Sequence, residues 1–119
     1  MLLSLIEQIF ICLEANGVAG EKMDYRELPE RVRRKIRRYR GSLATPCWIW
    51  GGAERHGYAA IWANGAVRIG HRFIYELLAG PIRPGLTLDH LCRRTFCVNP
   101  EHLEQVTREE NLRRAGKVL

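Results

Sequence analysis

The sequence predicts a mixed α+β domain, and three observations predict it. Residues 2–14 place Leu2, Leu5, Ile6, Ile9 and Leu13 at helical spacing. The stretch 45–72 turns β-like, with three tryptophans and many glycines. The window 89–111, DHLCRRTFCVNPEHLEQVTREEN, packs an Asp-His pair, two cysteines, a histidine and a downstream asparagine into 23 positions. That mix suits two jobs at once, a structural zinc and metal-assisted hydrolysis of a phosphodiester.

The elements follow in order. The first helix, over 2–14, is widened by Phe10 and Cys12 and ends at Asn16-Gly17, a C-cap signal. Its apolar face suits packing on the body or on a second copy of the chain, which would make a homodimer. Cys12 lies inside the apolar run and reads as a buried thiol. After a loop over 18–26, a second helix is expected from Leu28 to Arg40, opened by Pro29. Leu28, Val32, Ile36 and Tyr39 form its packed stripe. The segment 31–40, RVRRKIRRYR, holds seven basic residues in ten and makes this helix a candidate phosphate contact, or else a solvated cationic face. A boundary near Gly41 then separates an N-terminal helical extension, 1–41, from a second unit, 42–119.

In that second unit, Tyr58–Trp62 and Ala66–Ile69 read as strands joined at Ala63-Asn64-Gly65. Arg72–Ala79 reads as a short helix stopped by Gly80-Pro81. Residues 86–91 form a short apolar strand that delivers Asp89 and His90 to its end. Pro100 opens a turn, and residues 101–105 lead into a last helix over 108–114, capped by Thr107 with Glu110 three residues on. The tryptophans are expected in the core, and Asn99-Pro100 reads as turn chemistry.

Composition narrows the partners. Nineteen Lys and Arg against thirteen Asp and Glu give a formal net charge of +6, which favours a polyanion such as nucleic acid. The apolar start has no basic lead-in and carries Glu7, Gln8 and Glu14, so it reads neither as a secretion signal nor as a membrane span. The expectation is a cytoplasmic protein without membrane contact, where clustered Cys and His read as metal ligands rather than as disulfides.

Cys92, Cys97 and His102 are spaced for tetrahedral zinc, which needs a fourth ligand. Cys47 is the best fourth ligand, and His56 and His71 are the alternatives. Bringing Cys47 to the later cluster would tie the β region to the end of the chain and couple metal binding to folding. The plain alternative is that these cysteines are buried thiols and His102 a surface residue. Asp89 and His90 are neighbours on a strand, so their side chains diverge. Asp89 offers a hard oxygen for Mg²⁺ or Mn²⁺, Asn111 a carbonyl oxygen from the last helix, and His90 an imidazole able to take a proton from water.

The pattern D-H-L-C-x4-C-x-N-P-x-H-L followed by an Asn resembles the HNH endonucleases, in particular their zinc-bearing phage and intron type. It is also similar to the His-Cys box homing endonucleases. The upstream C-W-I-W-G-G and H-R-x-x-Y-E-x-x-x-G-P-I-x-P-G-L fit the same resemblance, which covers about residues 46–114. It implies a ββα-metal (HNH) fold with a structural zinc knuckle and a phage or mobile-element origin. The implied activity is metal-dependent cleavage of double-stranded DNA leaving 5′-phosphate and 3′-hydroxyl ends. It implies His90 as general base, Asp89 and Asn111 as ligands of the catalytic ion, and Cys47, Cys92, Cys97 and His102 as zinc ligands. One departure bears on His102, which falls where plain HNH enzymes have a middle Asn and could instead belong to the active site. Arg68, Arg72 and Arg93 are candidate contacts to the DNA backbone. The rival reading is a zinc-stapled DNA-binding module without nuclease activity.

Overall fold

The computed structural model describes residues 24–116, so the expected first helix and Cys12 lie outside the described residues. A one-turn 3₁₀ segment, Tyr25–Glu27, precedes α1 (Glu30–Arg33) and β1 (Ile36–Tyr39). Then come β2 (Cys47–Trp50), β3 (Glu54–Arg55), β4 (Tyr58–Ala63), β5 (Ala66–Ile69), α2 (Gly70–Leu78) and β6 (Leu86–His90). A second 3₁₀ turn, Pro100–His102, leads into β7 (Leu103–Thr107) and α3 (Arg108–Arg114). The strands form three antiparallel groups, β1-β2, β3-β4-β5 and β6-β7.

The expected second helix is corrected: only Glu30–Arg33 is helical, and Ile36–Tyr39 is a strand facing Cys47–Trp50. The packed stripe misled because Leu28, Val32 and Ile36 are buried under either conformation. Pairing with the apolar CWIW strand satisfies one edge of the backbone of residues 36–39 and leaves Arg37 and Arg38 exposed. Tertiary pairing therefore overrides the helical preference of an arginine-rich run.

The hairpin β4-β5 turns at Asn64-Gly65, both left-handed with φ 53° and 80°, the conformation that two-residue hairpin loops require. Its inner face gives Ala59, Ile61 and Ala63 to a core completed by Leu28, Val32, Ile36, Trp48, Trp50, Ile74 and Val98. Trp62 departs from expectation: it is 61% exposed on the outer face, opposite Val67. Strand alternation puts residues 60 and 62 on the side away from α2.

Helix α2 rests on β4 through Gly70. A Cβ at this position would stand 2.6 Å from the Ala59 Cβ. Gly70→Ala is therefore expected to cost about 1–3 kcal/mol through forced displacement of α2, measured as a lower urea midpoint. An unchanged midpoint would show that the helix is free to shift.

β6, β7 and α3 make a ββα unit in which His90 pairs with Leu103 and Asp89 with Glu104. The resemblance implies a second strand here, but the residues alone do not place it, since LEQVT is short and its Thr107 reads as the start of a helix. Thr107 does cap α3, accepting from the Glu110 N–H at 3.0 Å.

Candidate metal centre and catalytic site

The loop between β6 and β7 closes on itself, with Leu91 N–H donating to the His102 carbonyl at 2.7 Å. Arg93 takes a left-handed turn with φ 63°, and Cys97 N–H donates to the Arg94 carbonyl. The far side of this knuckle extends the β1-β2 ladder. Trp50 N–H donates to the Phe96 carbonyl at 2.9 Å and Val98 N–H to the Trp48 carbonyl at 2.8 Å. These bonds bring Cys47 to Cys97, far apart along the chain.

Cys47, Cys92, Cys97 and His102 gather here, all buried, with their ligand atoms within 4.8 Å of one another. The His102 Nε2 lies 3.0 Å from the Thr45 carbonyl oxygen, which can only accept, so Nε2 carries the proton. Its Nδ1 is then the lone-pair nitrogen, 3.5 Å from the Cys47 sulfur and 3.6 Å from that of Cys97. A ligand ring held at its other nitrogen by a carbonyl is the usual outer-shell arrangement of a metal-binding histidine. Crowding also separates the thiols. The contact between Cys92 and Cys97 lowers the pKa of Cys92 and raises that of Cys97, so one thiolate of the pair is favoured. Burial pushes Cys47 up. Three sulfurs and one imidazole form a Cys₃His group compatible with zinc. His102 faces these sulfurs, and neither alternative fourth ligand does. His56 is exposed in the β3-β4 turn, while His71 packs against His90.

Asn99, read from sequence as turn chemistry, does more. Its carboxamide oxygen caps the 3₁₀ turn at Glu101 N–H, and its Nδ2 donates to the Pro46 carbonyl at 2.8 Å. At 2% exposure it locks the residue before Cys47 to the knuckle.

His90 stands at the end of β6 and is 7% exposed. Its Nε2 is buried with no hydrogen-bond partner among the described residues, and so is the Nδ1 of His71. The two rings lie 4.5 Å apart, with Tyr58 against His71 at 5.3 Å and against His90 at 6.0 Å. Burial lowers the pKa of each imidazole, and for His71, with added repulsion from His90 and Arg72, it falls to about 3. The ring contact between His71 and His90 was not legible in sequence, because it joins the start of α2 to the end of β6.

Asp89 is 3% exposed and neutralised from two sides. Arg93 reaches Oδ1 at 2.9 Å and Arg114, at the end of α3, reaches Oδ2 at 3.0 Å. Arg114 also bridges Glu104 and Glu110, which fixes α3 over the β6-β7 hairpin. Asn111 lies one turn before Arg114 on α3, half-buried, and makes no side-chain hydrogen bond among the described residues. The ββα unit thus brings the strand end bearing Asp89 and His90 under the helix bearing Asn111. Of the arginines expected at DNA, Arg93 is taken by Asp89. Arg68 donates to the Ala63 and Asn64 carbonyls of its own hairpin turn. Arg72 is half-buried beside His71.

The chain is HNH-like: residues 68–113 match the model of the HNH endonuclease family. The matched segment holds α2, β6, the knuckle, β7 and most of α3, and excludes Cys47. Protein 7.7 of Escherichia phage T7 is 38% identical over 66 residues, which is 55% of this chain and 51% of that one. An uncharacterized gene 5.3 protein of Enterobacteria phage T3 is 34% identical over 47 residues, 40% of this chain and 46% of its own. The chain therefore spans about half the length of the curated relatives it matches. No solved structure matches it. The HNH match points to a nuclease or DNA-binding function. Among the described residues no helix is long and apolar enough to cross a membrane.

Proposed function

We propose that this chain is a phage-encoded, zinc-stapled HNH endonuclease that hydrolyses phosphodiester bonds of double-stranded DNA inside the cell. The observation that carries the reading is the buried, unpartnered Nε2 of His90 at the strand end of the ββα unit. A buried polar nitrogen without a partner is costly, and a reacting water is a partner it could serve. In this reading the neutral His90 takes a proton from water. The water oxygen bonds to phosphorus, and the 3′ oxygen leaves with the bonding electrons and takes a proton from solvent, giving a 5′-phosphate and a 3′-hydroxyl. His71 and Tyr58 hold the His90 ring at its angle.

Asp89 and Asn111 supply hard oxygen donors that fit Mg²⁺ or Mn²⁺. When bound, such an ion would offset the charge that develops on the phosphate and the leaving oxygen. Asp89 shares its charge with Arg93 and Arg114. Arg93 is 55% exposed, so its guanidinium is free to pass from the carboxylate to a DNA phosphate. Arg72 and Arg68 are further candidates for backbone contacts. Cys47, Cys92, Cys97 and His102 hold the zinc. The segment 42–119 is taken as the nuclease unit and 1–41 as an extension whose residues 28–39 pack into the same core and pair with β2. The homodimer reading rests on the stretch 2–14 and has no support among the described residues.

One observation favours a second reading, a zinc-stapled DNA-binding module. Both Asp89 oxygens are already paired to arginines. Plasmid nicking with Mg²⁺ or Mn²⁺ separates the two. Metal-dependent nicking with 5′-phosphate ends is expected. DNA binding without cleavage under either metal would leave the second reading standing. His71→Ala is expected to lower kcat roughly 10–100-fold with KM unchanged, and His71→Phe to recover part of it, since a small misplacement of the base is expensive. Equal losses in KM and kcat would assign His71 a general structural role.

A further inference from the structure

The basic run 31–40 is only partly absorbed by the nuclease reading, and the structure gives it a place. Arg37 and Arg38 stand on β1, the edge strand of its sheet, and line an open groove of about 620 Å³. Tyr39, Ile49, Arg94 and Phe96 complete its main walls. Arg94 belongs to the knuckle, and its guanidinium lies over the Tyr39 ring at 4.7 Å. No Asp or Glu lines the groove. Among the described residues none of Arg37, Arg38 and Arg94 forms an ion pair, whereas Arg26, Arg93, Arg113 and Arg114 all do.

Arg37, Arg38 and Arg94 bring positive charge to the groove with no acidic group at ion-pair distance among the described residues, although Arg38 also lies over the Tyr25 ring at 4.4 Å and its charge reaches Asp24. That excess of positive charge favours a polyanion. Position selects the polyanion. Arg93 and Arg94 are successive residues: the first reaches Asp89 at the candidate catalytic site, and the second turns to the groove. The knuckle therefore links the two places, carrying Arg93 to Asp89 and the next residue, Arg94, to the groove. We infer that this groove seats the phosphate backbone of the DNA flanking the cleavage point, held by Arg37, Arg38 and Arg94. The inference rests on the nuclease reading and extends its footprint from the ββα unit to the β1 edge. Tyr39 and Ile49 give the sugar an apolar floor, and the arginines supply phosphate contacts that carry no sequence preference.

The test is a salt series of duplex binding. The full zinc-loaded chain carrying His90→Ala binds a fluorescent duplex without cutting it. The same chain with Arg37→Ala, Arg38→Ala and Arg94→Ala is compared by anisotropy. Removing one arginine that neutralises a phosphate flattens the log Kd against log salt slope by about 0.9, so a slope shallower by about 2–3 is expected. Lysine at the same three positions should restore most of that slope. Zinc content and melting temperature confirm that the variants fold. Equal slopes for parent and alanine variant would overturn the groove while leaving the nuclease reading intact. A parent that binds no duplex would overturn both. With an acidic polypeptide in place of the duplex, the slope difference is expected to vanish. A larger difference with that polypeptide than with DNA would assign the groove to a protein partner and overturn the inference.

Discussion

Replacing His90 with alanine is expected to slow plasmid nicking by about 10²–10⁴-fold, the range contributed by a positioned general base. The expectation comes from place and not only from residue type. His90 ends β6, is nearly enclosed, and leaves Nε2 unpartnered among the described residues. Because the side chain is buried against His71 and Tyr58, alanine also leaves a void. His90→Gln fills more of that space and serves as the control. Both variants should keep one zinc per chain, since His90 is not among the four clustered ligands. Nicking at the parental rate by both variants would remove His90 from the mechanism. A loss confined to alanine and absent from glutamine would mark a packing role instead.

The second large effect is expected at the zinc cluster. Cys47→Ser should bring zinc well below one per chain and lower stability by on the order of 4–5 kcal/mol, as losing a metal does. For a domain of this size that corresponds to a melting temperature lower by roughly 20 °C or more. Treating the parent with a strong chelator should reproduce the drop, because metal binding and folding are one equilibrium in such sites. Cys47 is the informative choice because it is the one ligand outside the knuckle. Its loss separates β2 from residues 92–102, whereas an ordinary buried thiol would tolerate serine at far lower cost. A parent that purifies without metal and melts at the same temperature with and without chelator would refute the zinc reading.

How much of this was legible in sequence depended on whether the signal was local. The ligand spacing in 92–102 and the hairpin at Asn64-Gly65 were readable because each is written within a few residues. So was the Thr107 cap. Cys47 was reachable by elimination and chemistry, since zinc wants a fourth ligand. Three features were not readable. The strand Ile36–Tyr39 depends on a partner beginning eight residues later, so its composition pointed to helix while pairing decided otherwise. The contact between His71 and His90 joins elements distant in sequence. The arginines on Asp89 were also hidden. Arg93 was read as a DNA contact, yet at the end of β6 it turns back to the carboxylate four residues earlier. For His102, the spacing left zinc and the active site both open. The bond from its Nε2 to the Thr45 carbonyl is what turns the other nitrogen to the thiols.

That Thr45–His102 bond, together with Asn99 gripping Pro46, also sets an order of events during synthesis. Both contacts join residues more than fifty positions apart, so neither can form until the later partner has left the ribosome. Cys92, Cys97 and His102 lie within eleven residues and close cheaply, whereas recruiting Cys47 requires closing a long loop. The emerging chain therefore exposes CWIW, an apolar strand with a bare edge, until the knuckle arrives to pair with it. Scarce zinc at that moment would be felt first as aggregation of the nascent chain, before any loss of finished protein.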